Sequence, residues 1–224
     1  MTARAFTTLT LATVLAVFLT LAGYYWPSLW LVYLFKPLAT LFLILIAFFH
    51  WIENRSAYSQ WIVIGLVFSF LGDVFLIWPN QYFLPGLAAF LLTHVAYLVA
   101  FTRECRFLVN FVLWLAYLLV IVAFCSFLYP TVPTGLKVPV LLYAILLATM
   151  AGQAMGNFLE LRTASTLRAA AGALLFLLSD LLLAFDRFHR PLLCATALIL
   201  IPYYVGQYLI ASSTANVRSP RRPR

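Results

Sequence analysis

Long apolar runs, separated by short polar or proline-containing breaks, fill the chain from Ala5 to Ser212. Most runs hold close to the ~20 residues that an α-helix needs to cross the hydrocarbon core of a bilayer. The pattern therefore predicts an all-α fold, a polytopic membrane helix bundle with eight transmembrane helices. The predicted helices cover residues 5–23, 37–52, 58–78, 83–102, 107–129, 138–157, 167–185 and 191–212.

The composition excludes two other classes of protein. Of the 224 residues, 65% are hydrophobic and 9% are charged, whereas soluble domains average about 45–50% apolar and about 25% charged residues. Intrinsic disorder requires low hydrophobicity and high charge, which is the opposite composition. We therefore predict a single transmembrane domain over residues 1–214, followed by a basic cytoplasmic tail over residues 215–224.

The net charge of +8 is concentrated at the C-terminus, where Arg218, Arg221, Arg222 and Arg224 fall within the last seven residues. This placement indicates a tail beside anionic lipid headgroups rather than a nucleic-acid-binding surface. Counted over alternate predicted loops, ten Lys and Arg side chains lie on the side of the N-terminus and four on the other side. The positive-inside rule then predicts that both termini are cytoplasmic, in a multi-pass protein of the bacterial inner membrane.

A weak internal repeat divides the chain into halves. The segments Gly65–Asp73 and Gly172–Asp180 both place a glycine eight residues before an aspartate, with mostly apolar residues between them. Tyr97 and Tyr204 each stand 24 residues after the aspartate of their own half. Because the halves are four helices apart, their matching helices would run in the same direction, which suggests a 4+4 parallel pseudo-repeat.

Asp73 and Asp180 are the acidic residues that fall within apolar runs. The other acidic residues fall in predicted loops: Glu53, Glu104, Glu160 and Asp186. An aspartate near the centre of a membrane helix costs about 2.5–3.5 kcal/mol on insertion scales, so such residues usually have a function. Asp73 and Asp180 each stand five residues before a predicted helix end, which places both about 8 Å inside the same boundary.

Two carboxyls that share a low-dielectric chamber cannot both ionise easily, so one stays protonated beside an ionised partner. Asp73 and Asp180 are therefore predicted to form a general acid/base pair. The alternative is that they form hydrogen bonds that only hold helices together.

Other polar residues are expected at the same level. Lys36 opens the predicted second helix, and His94 and Tyr97 share one face of the fourth with Gly86 and Phe90. A lone histidine in a membrane helix is equally compatible with packing. The candidates for positioning a substrate are Lys36, His94, Tyr97 and Tyr204.

Several chemistries lack their sequence motifs. The chain contains no GxSxG, HExxH, P-loop or GxGxxG motif. His94 with the two aspartates would be a weak set of zinc ligands. We therefore predict no metal site and no cofactor.

The ordered set of segments 36–38, 68–73, 86–97 and 172–180 resembles the YhhN-like membrane proteins, a family that includes the lysoplasmalogenases. The resemblance spans roughly residues 30–210. It implies an eight-helix enzyme that hydrolyses the vinyl ether bond of lysoplasmalogens. The products would be a fatty aldehyde and glycerophosphoethanolamine or glycerophosphocholine.

The implied reaction suits the predicted acid/base pair, because vinyl ethers hydrolyse after protonation at carbon. The expected partners are a lysophospholipid substrate and membrane lipids, with Lys36, Arg187 or Arg190 as ligands for the phosphate. The main alternative is a proton-coupled transporter of a small molecule or lipid that relays protons through the two aspartates. A second is a lipid-binding scaffold without enzyme activity. The sequence makes no prediction of the oligomeric state.

Overall fold

The computed structural model describes residues 1–26 and 28–216, and this part of the chain folds into eight α-helices and one final 3-10 turn. All eight helices are long and apolar enough to cross a membrane. The predicted all-α fold with eight membrane-spanning helices is confirmed, whereas the four arginines of the predicted tail lie outside the described residues. The helices are α1 (Ala3–Tyr25), α2 (Leu29–Asn54), α3 (Ala57–Phe75), α4 (Pro79–Phe101), α5 (Phe111–Leu128), α6 (Thr134–Leu161), α7 (Ala164–Phe188) and α8 (Ala195–Ser213).

Five helix starts differ from the prediction by four residues or more, those of α2, α4, α5, α6 and α8. α2 begins at Leu29, so Lys36 lies seven residues inside the helix and Pro37 is part of it. α8 begins at Ala195, and Pro191 lies in the non-helical segment before it. A membrane helix continues through a proline when its surroundings satisfy the freed backbone groups, so proline alone does not mark a helix end.

The predicted equal distance of the two aspartates from their helix ends is wrong. Asp73 stands two residues before the end of α3 at Phe75, whereas Asp180 stands eight residues before the end of α7 at Phe188. Pro79 at the start of α4 disfavours a helical conformation for Trp78, so α3 does not continue into α4. α7 meets no such restriction before its last turn.

Three of the acidic residues predicted in loops lie instead in the last turns of helices. Glu53 belongs to α2, Glu160 to α6 and Asp186 to α7, whereas Glu104 is in the non-helical segment between α4 and α5. Each helix runs a few residues beyond its apolar stretch, because charged side chains can reach the interface from the last turn.

Six helices form a closed ring in which neighbours pack in the order α2, α3, α4, α6, α7, α8 and back to α2. α1 packs on the outside of α2, and α5 packs on the outside of α6. Shifting every helix number by four reproduces each of these neighbouring pairs, whereas the smaller contacts of α8 with α1 and α3 are not repeated to the same extent. That is the packing expected of a 4+4 parallel pseudo-repeat.

Small residues allow the closest helix contacts in both halves. A Cβ added at Gly65 would overlap the ring of Tyr97, where α3 packs on α4. A Cβ added at Gly172 would lie 2.6 Å from the carbonyl oxygen of Gly206, where α7 packs on α8. Close backbone approach at glycine is a common means of association between membrane helices, and here it fixes the helices that carry the two aspartates.

Candidate active site

Asp73, on the last turn of α3, is buried and surrounded by polar groups from two other helices. The Thr40 hydroxyl donates a hydrogen bond of 2.5 Å to Asp73 Oδ2, and the Tyr203 hydroxyl donates one of 2.7 Å to the same oxygen. Lys36 Nζ lies 4.0 Å from Asp73 Oδ1. A carboxylate with two hydroxyl donors and a nearby ammonium group is compensated for its removal from water.

The spacing along α2 explains how two of these groups reach one aspartate. Lys36 and Thr40 are four residues apart and therefore lie on the same face of the helix. Both are buried, and the side chain of Lys36 is 5% exposed. The Tyr204 hydroxyl donates a 3.0 Å hydrogen bond to the carbonyl oxygen of Lys36, which fixes α8 against this part of α2.

Asp180, on α7, is in contact with a second group of polar side chains. The Tyr143 hydroxyl donates a hydrogen bond of 2.6 Å to Asp180 Oδ2. His94 Nε2 lies 2.9 Å from the same hydroxyl and 3.6 Å from Asp180 Oδ2. The Tyr143 hydroxyl donates its proton to Asp180, so it can only accept a hydrogen bond from His94. This assigns the proton of the neutral His94 ring to Nε2. His94 is fully buried, and its Nδ1 has no hydrogen-bond partner in the described part of the chain.

Both aspartates line one cavity of about 210 Å³, which we call the polar cavity. Lys36 and Tyr203 also line it, and Asp186 and Arg187 from the end of α7 stand at its outer part. The two residues predicted to form an acid/base pair thus line the same cavity.

A second cavity, of about 380 Å³, lies among α4, α5, α6 and α7, and we call it the α5 cavity. Its walls are mostly apolar, but Asp180 and Tyr143 also line it, as do Ser126, Tyr129 and Lys137. Asp180 lines both cavities, and so do Phe83 and Phe90 of α4. The carboxyl of Asp180 therefore lies where a polar chamber meets an apolar one.

The structure brings together some of the predicted site residues and separates others. Lys36 lies beside Asp73 in the polar cavity, and His94 reaches Asp180 through Tyr143. Tyr97 and Tyr204 line neither cavity. Tyr97 instead donates a 2.5 Å hydrogen bond to the side-chain oxygen of Gln207.

Sequence reasoning missed Thr40 and Tyr143 and gave Tyr203 no site role. Thr40 carries a detectable signal, because it is one helical turn from Lys36. Tyr143 carries another, because the shift of 107 residues that moves Asp73 onto Asp180 also moves Lys36 onto Tyr143. Among the described residues, no group of three or more His, Cys, Asp or Glu side chains is arranged to hold a metal ion.

The sequence model of the YhhN family matches residues 31–214, which include every site residue described above. The chain belongs to the YhhN family. This YhhN-family chain is 37% identical to lysoplasmalogenase TMEM86A of Bos taurus over 164 residues, 71% of the chain and 67% of the relative. It is 36% identical to lysoplasmalogenase TMEM86B of Homo sapiens over 198 residues, 85% of the chain and 77% of the relative.

A bacterial member of the YhhN family is also similar. The uncharacterized membrane protein YhhN of Escherichia coli is 28% identical over 193 residues, 86% of the chain and 90% of the relative. No solved structure matches the chain significantly. Eight apolar helices together with membrane-protein relatives identify this YhhN-family chain as an integral multi-pass membrane protein.

Proposed function

We propose that this protein is a lysoplasmalogenase-like membrane hydrolase. It would cleave the vinyl ether bond of an alkenyl-glycerophosphoethanolamine or -choline to give a fatty aldehyde and the glycerophospho-alcohol. The single observation that carries the proposal is that Asp73 and Asp180 both line the polar cavity. The names of relatives such as lysoplasmalogenase TMEM86A support the choice of bond.

Asp180 is the proposed proton donor. Its Oδ2 accepts the hydrogen bond from Tyr143, whereas its Oδ1 accepts none from the described residues and is available to the cavities. The acid protonates the alkenyl carbon that is β to the ether oxygen, and an oxocarbenium ion forms. Water then adds to the carbon bonded to the ether oxygen, and the hemiacetal collapses to aldehyde and alcohol.

Asp73 is the proposed ionised partner. Its hydroxyl donors Thr40 and Tyr203, together with the Lys36 ammonium, all favour the carboxylate form. A fixed carboxylate stabilises the oxocarbenium ion and accepts the proton of the attacking water. Hydrolysis consumes one water and regenerates both aspartates after proton exchange with solvent.

The remaining candidates act through these groups in the proposed mechanism. His94 positions Asp180 through Tyr143. Tyr204 positions Lys36 through a hydrogen bond to the Lys36 carbonyl oxygen. Tyr97 fixes α8 by its bond to Gln207. Arg187, at the outer part of the polar cavity, is the proposed ligand for the substrate phosphate.

The packing of the bundle argues against a proton-coupled transporter. The polar groups around Ser69 and Gln207 hydrogen-bond to each other, and a second polar group lies at the opposite ends of the helices around Tyr58 and Ser213. The fully buried side chains of Ile62, Leu66 and Ile210 lie between these two groups along α3 and α8. A proton path through the ring would have to cross this apolar layer, where an unpaired polar group or charge is costly.

The orientation is also part of the proposal. The excess of Lys and Arg on the side of the N-terminus supports cytoplasmic termini in a bacterial inner membrane, with the last residues forming the basic tail. The polar cavity would then open toward the non-cytoplasmic leaflet.

The experiment that tests the proposal measures aldehyde release from lysoplasmenyl-ethanolamine by the purified protein in detergent. We expect Asp73→Asn and Asp180→Asn each to abolish release while the protein elutes as a folded species on size-exclusion chromatography. Glu160→Gln, the same chemical change at an exposed residue, is the matched control and should retain activity. Wild-type turnover in both aspartate variants would contradict the proposed mechanism.

A further inference from the structure

The α5 cavity has the size and lining of a site for a hydrocarbon chain. Its volume of about 380 Å³ falls within the range of ligand pockets. A cavity of about 150 Å³ holds one benzene molecule, so this volume corresponds to roughly fifteen carbon atoms. That is the size of one alkyl chain rather than two.

The apolar walls of the α5 cavity restrict the chemistry of its occupant. Leu87, Ile121 and Leu147, from three different helices, line it without offering a hydrogen bond. A polar molecule would lose its hydrogen bonds to water there and gain few in return. A hydrocarbon chain has no hydrogen bonds to lose, because it moves into the cavity from the apolar interior of the bilayer.

The cavity is also accessible from the membrane. α5 packs on α6 outside the helix ring, and Ile121 and Leu128 are its buried residues. Val122 on α5 and Leu141 on α6 line the cavity and are 43% and 44% exposed. A lipid chain can therefore reach the cavity sideways along α5, without crossing the headgroup region.

We propose that the α5 cavity is a binding site for the single hydrocarbon chain of an ether lysolipid, which lies with its first carbons against Asp180. Asp180 and Tyr143 are the cavity residues that connect this chain to the reacting bond, while the glycerol and headgroup occupy the polar cavity. This inference rests on the proposed function for the position of the reacting bond. Beyond that function, it specifies where the hydrocarbon chain of the substrate lies and identifies α5 as the helix along which the chain enters.

Because the chain is already in an apolar solvent before it binds, the cavity contributes position more than affinity. Filling the cavity should therefore lower turnover by displacing the vinyl ether from Asp180. Ala144, which lines the cavity beside Tyr143, is the site for such a substitution. Ala144→Phe should lower kcat more than it raises KM, whereas Ile145→Phe, on the lipid-facing side of the same helix, should leave both unchanged.

A labelling experiment tests chain binding without hydrolysis. Cys125 lines the α5 cavity and becomes the sole thiol in a Cys105→Ser/Cys194→Ser background. The ligand is 1-O-hexadecyl-glycerophosphoethanolamine, which has no vinyl ether to cleave, and the reagent is N-ethylmaleimide. The control carries Val120→Cys as its sole thiol, because Val120 faces the lipid and lines neither cavity.

At a ligand concentration of about ten times Kd, about one site in eleven stays free, so labelling of Cys125 should slow about tenfold. Labelling at Val120→Cys should not change, and glycerophosphoethanolamine without a chain should protect neither thiol. Equal protection at both positions, or none at Cys125, would overturn the chain site. If Cys125 is protected but the wild-type protein releases no aldehyde, the chain site stands and the hydrolase proposal fails.

Discussion

Tyr143 contacts Asp180 from the position that is equivalent to that of Lys36 beside Asp73. The Tyr143 hydroxyl donates a hydrogen bond of 2.6 Å to Asp180, and the Lys36 ammonium lies 4.0 Å from Asp73. The same shift of 107 residues relates both members of the two pairs. One aspartate thus faces a cation and the other a neutral hydroxyl, so two similar halves provide two carboxyls of different character.

Tyr143→Phe removes the hydrogen bond to Asp180 and leaves the cavity shape almost unchanged. Asp180 becomes charged as it gives up its proton, and a hydrogen bond to a charged group contributes about 1.5–3 kcal/mol, so we expect kcat to fall by about ten- to a hundredfold. The dependence of kcat on pH should also move, because Tyr143 acts through Asp180. Tyr117→Phe, on α5 and outside both cavities, is the control. An unchanged pH profile would show that Tyr143 has only a packing role.

Lys36→Met should lower the stability of the protein, because it leaves Asp73 as a buried carboxyl without its cation. Breaking one side of a buried ion pair costs about 3–5 kcal/mol. We expect a lower Tm in detergent for Lys36→Met and a partial recovery in Lys36→Met/Asp73→Asn. Activity should be absent from the double variant. Equal Tm values for the wild type and Lys36→Met would mean that the two side chains do not interact.

Arg187→Gln should weaken substrate binding, because the Arg187 side chain lines the polar cavity where the phosphate is proposed to lie. An exposed ion pair contributes up to about 1 kcal/mol, so KM should rise by about fivefold with little change in kcat. Arg190 lies over the ring of Phe185 and does not line the polar cavity. Arg190→Gln is therefore the matched control, and an equal rise in KM for both variants would argue against the phosphate site.

Gly65→Ala should destabilise the contact between α3 and α4, since the added methyl group would overlap the Tyr97 ring. Overpacking of this kind costs about 1–3 kcal/mol. Gly135→Ala is the control, because a Cβ at that position has no heavy atom within 4 Å. Thermal unfolding in detergent should separate the two variants, and a similar Tm for both would show that α3 and α4 can shift apart freely.

The sequence was sufficient to predict the eight helices and to identify the two aspartates that lie within them, Asp73 in α3 and Asp180 in α7. Runs of apolar residues long enough to span a bilayer are rare in soluble domains, and an acidic residue inside such a run is conspicuous. Helix boundaries were less predictable, because Pro37 lies inside a helix whereas Pro191 lies outside one. Whether a proline lies inside or outside a membrane helix can be predicted only when the hydrogen-bond partners of the freed backbone groups are known.

The partners of the aspartates were harder to find from the sequence. Thr40 and Tyr143 are ordinary residues of membrane helices, and each meets its aspartate across the bundle rather than along the chain. Tyr97 looked equivalent to Tyr204, yet they bond to different groups, the Gln207 side chain and the Lys36 backbone. Such contacts depend on helix rotation, which the apolar pattern of nearly uniform helices does not fix.

Proton transfer from Asp180 to carbon is tested most directly by hydrolysis in deuterium oxide. The purified protein would be mixed with lysoplasmenyl-ethanolamine, and the aldehyde reduced at once with borohydride so that no later exchange occurs. We predict that the product carries one deuterium on the carbon next to the former carbonyl carbon, and that Asp180→Asn forms no product. A product without deuterium at that carbon, or labelled product from Asp180→Asn at the wild-type rate, would contradict the mechanism.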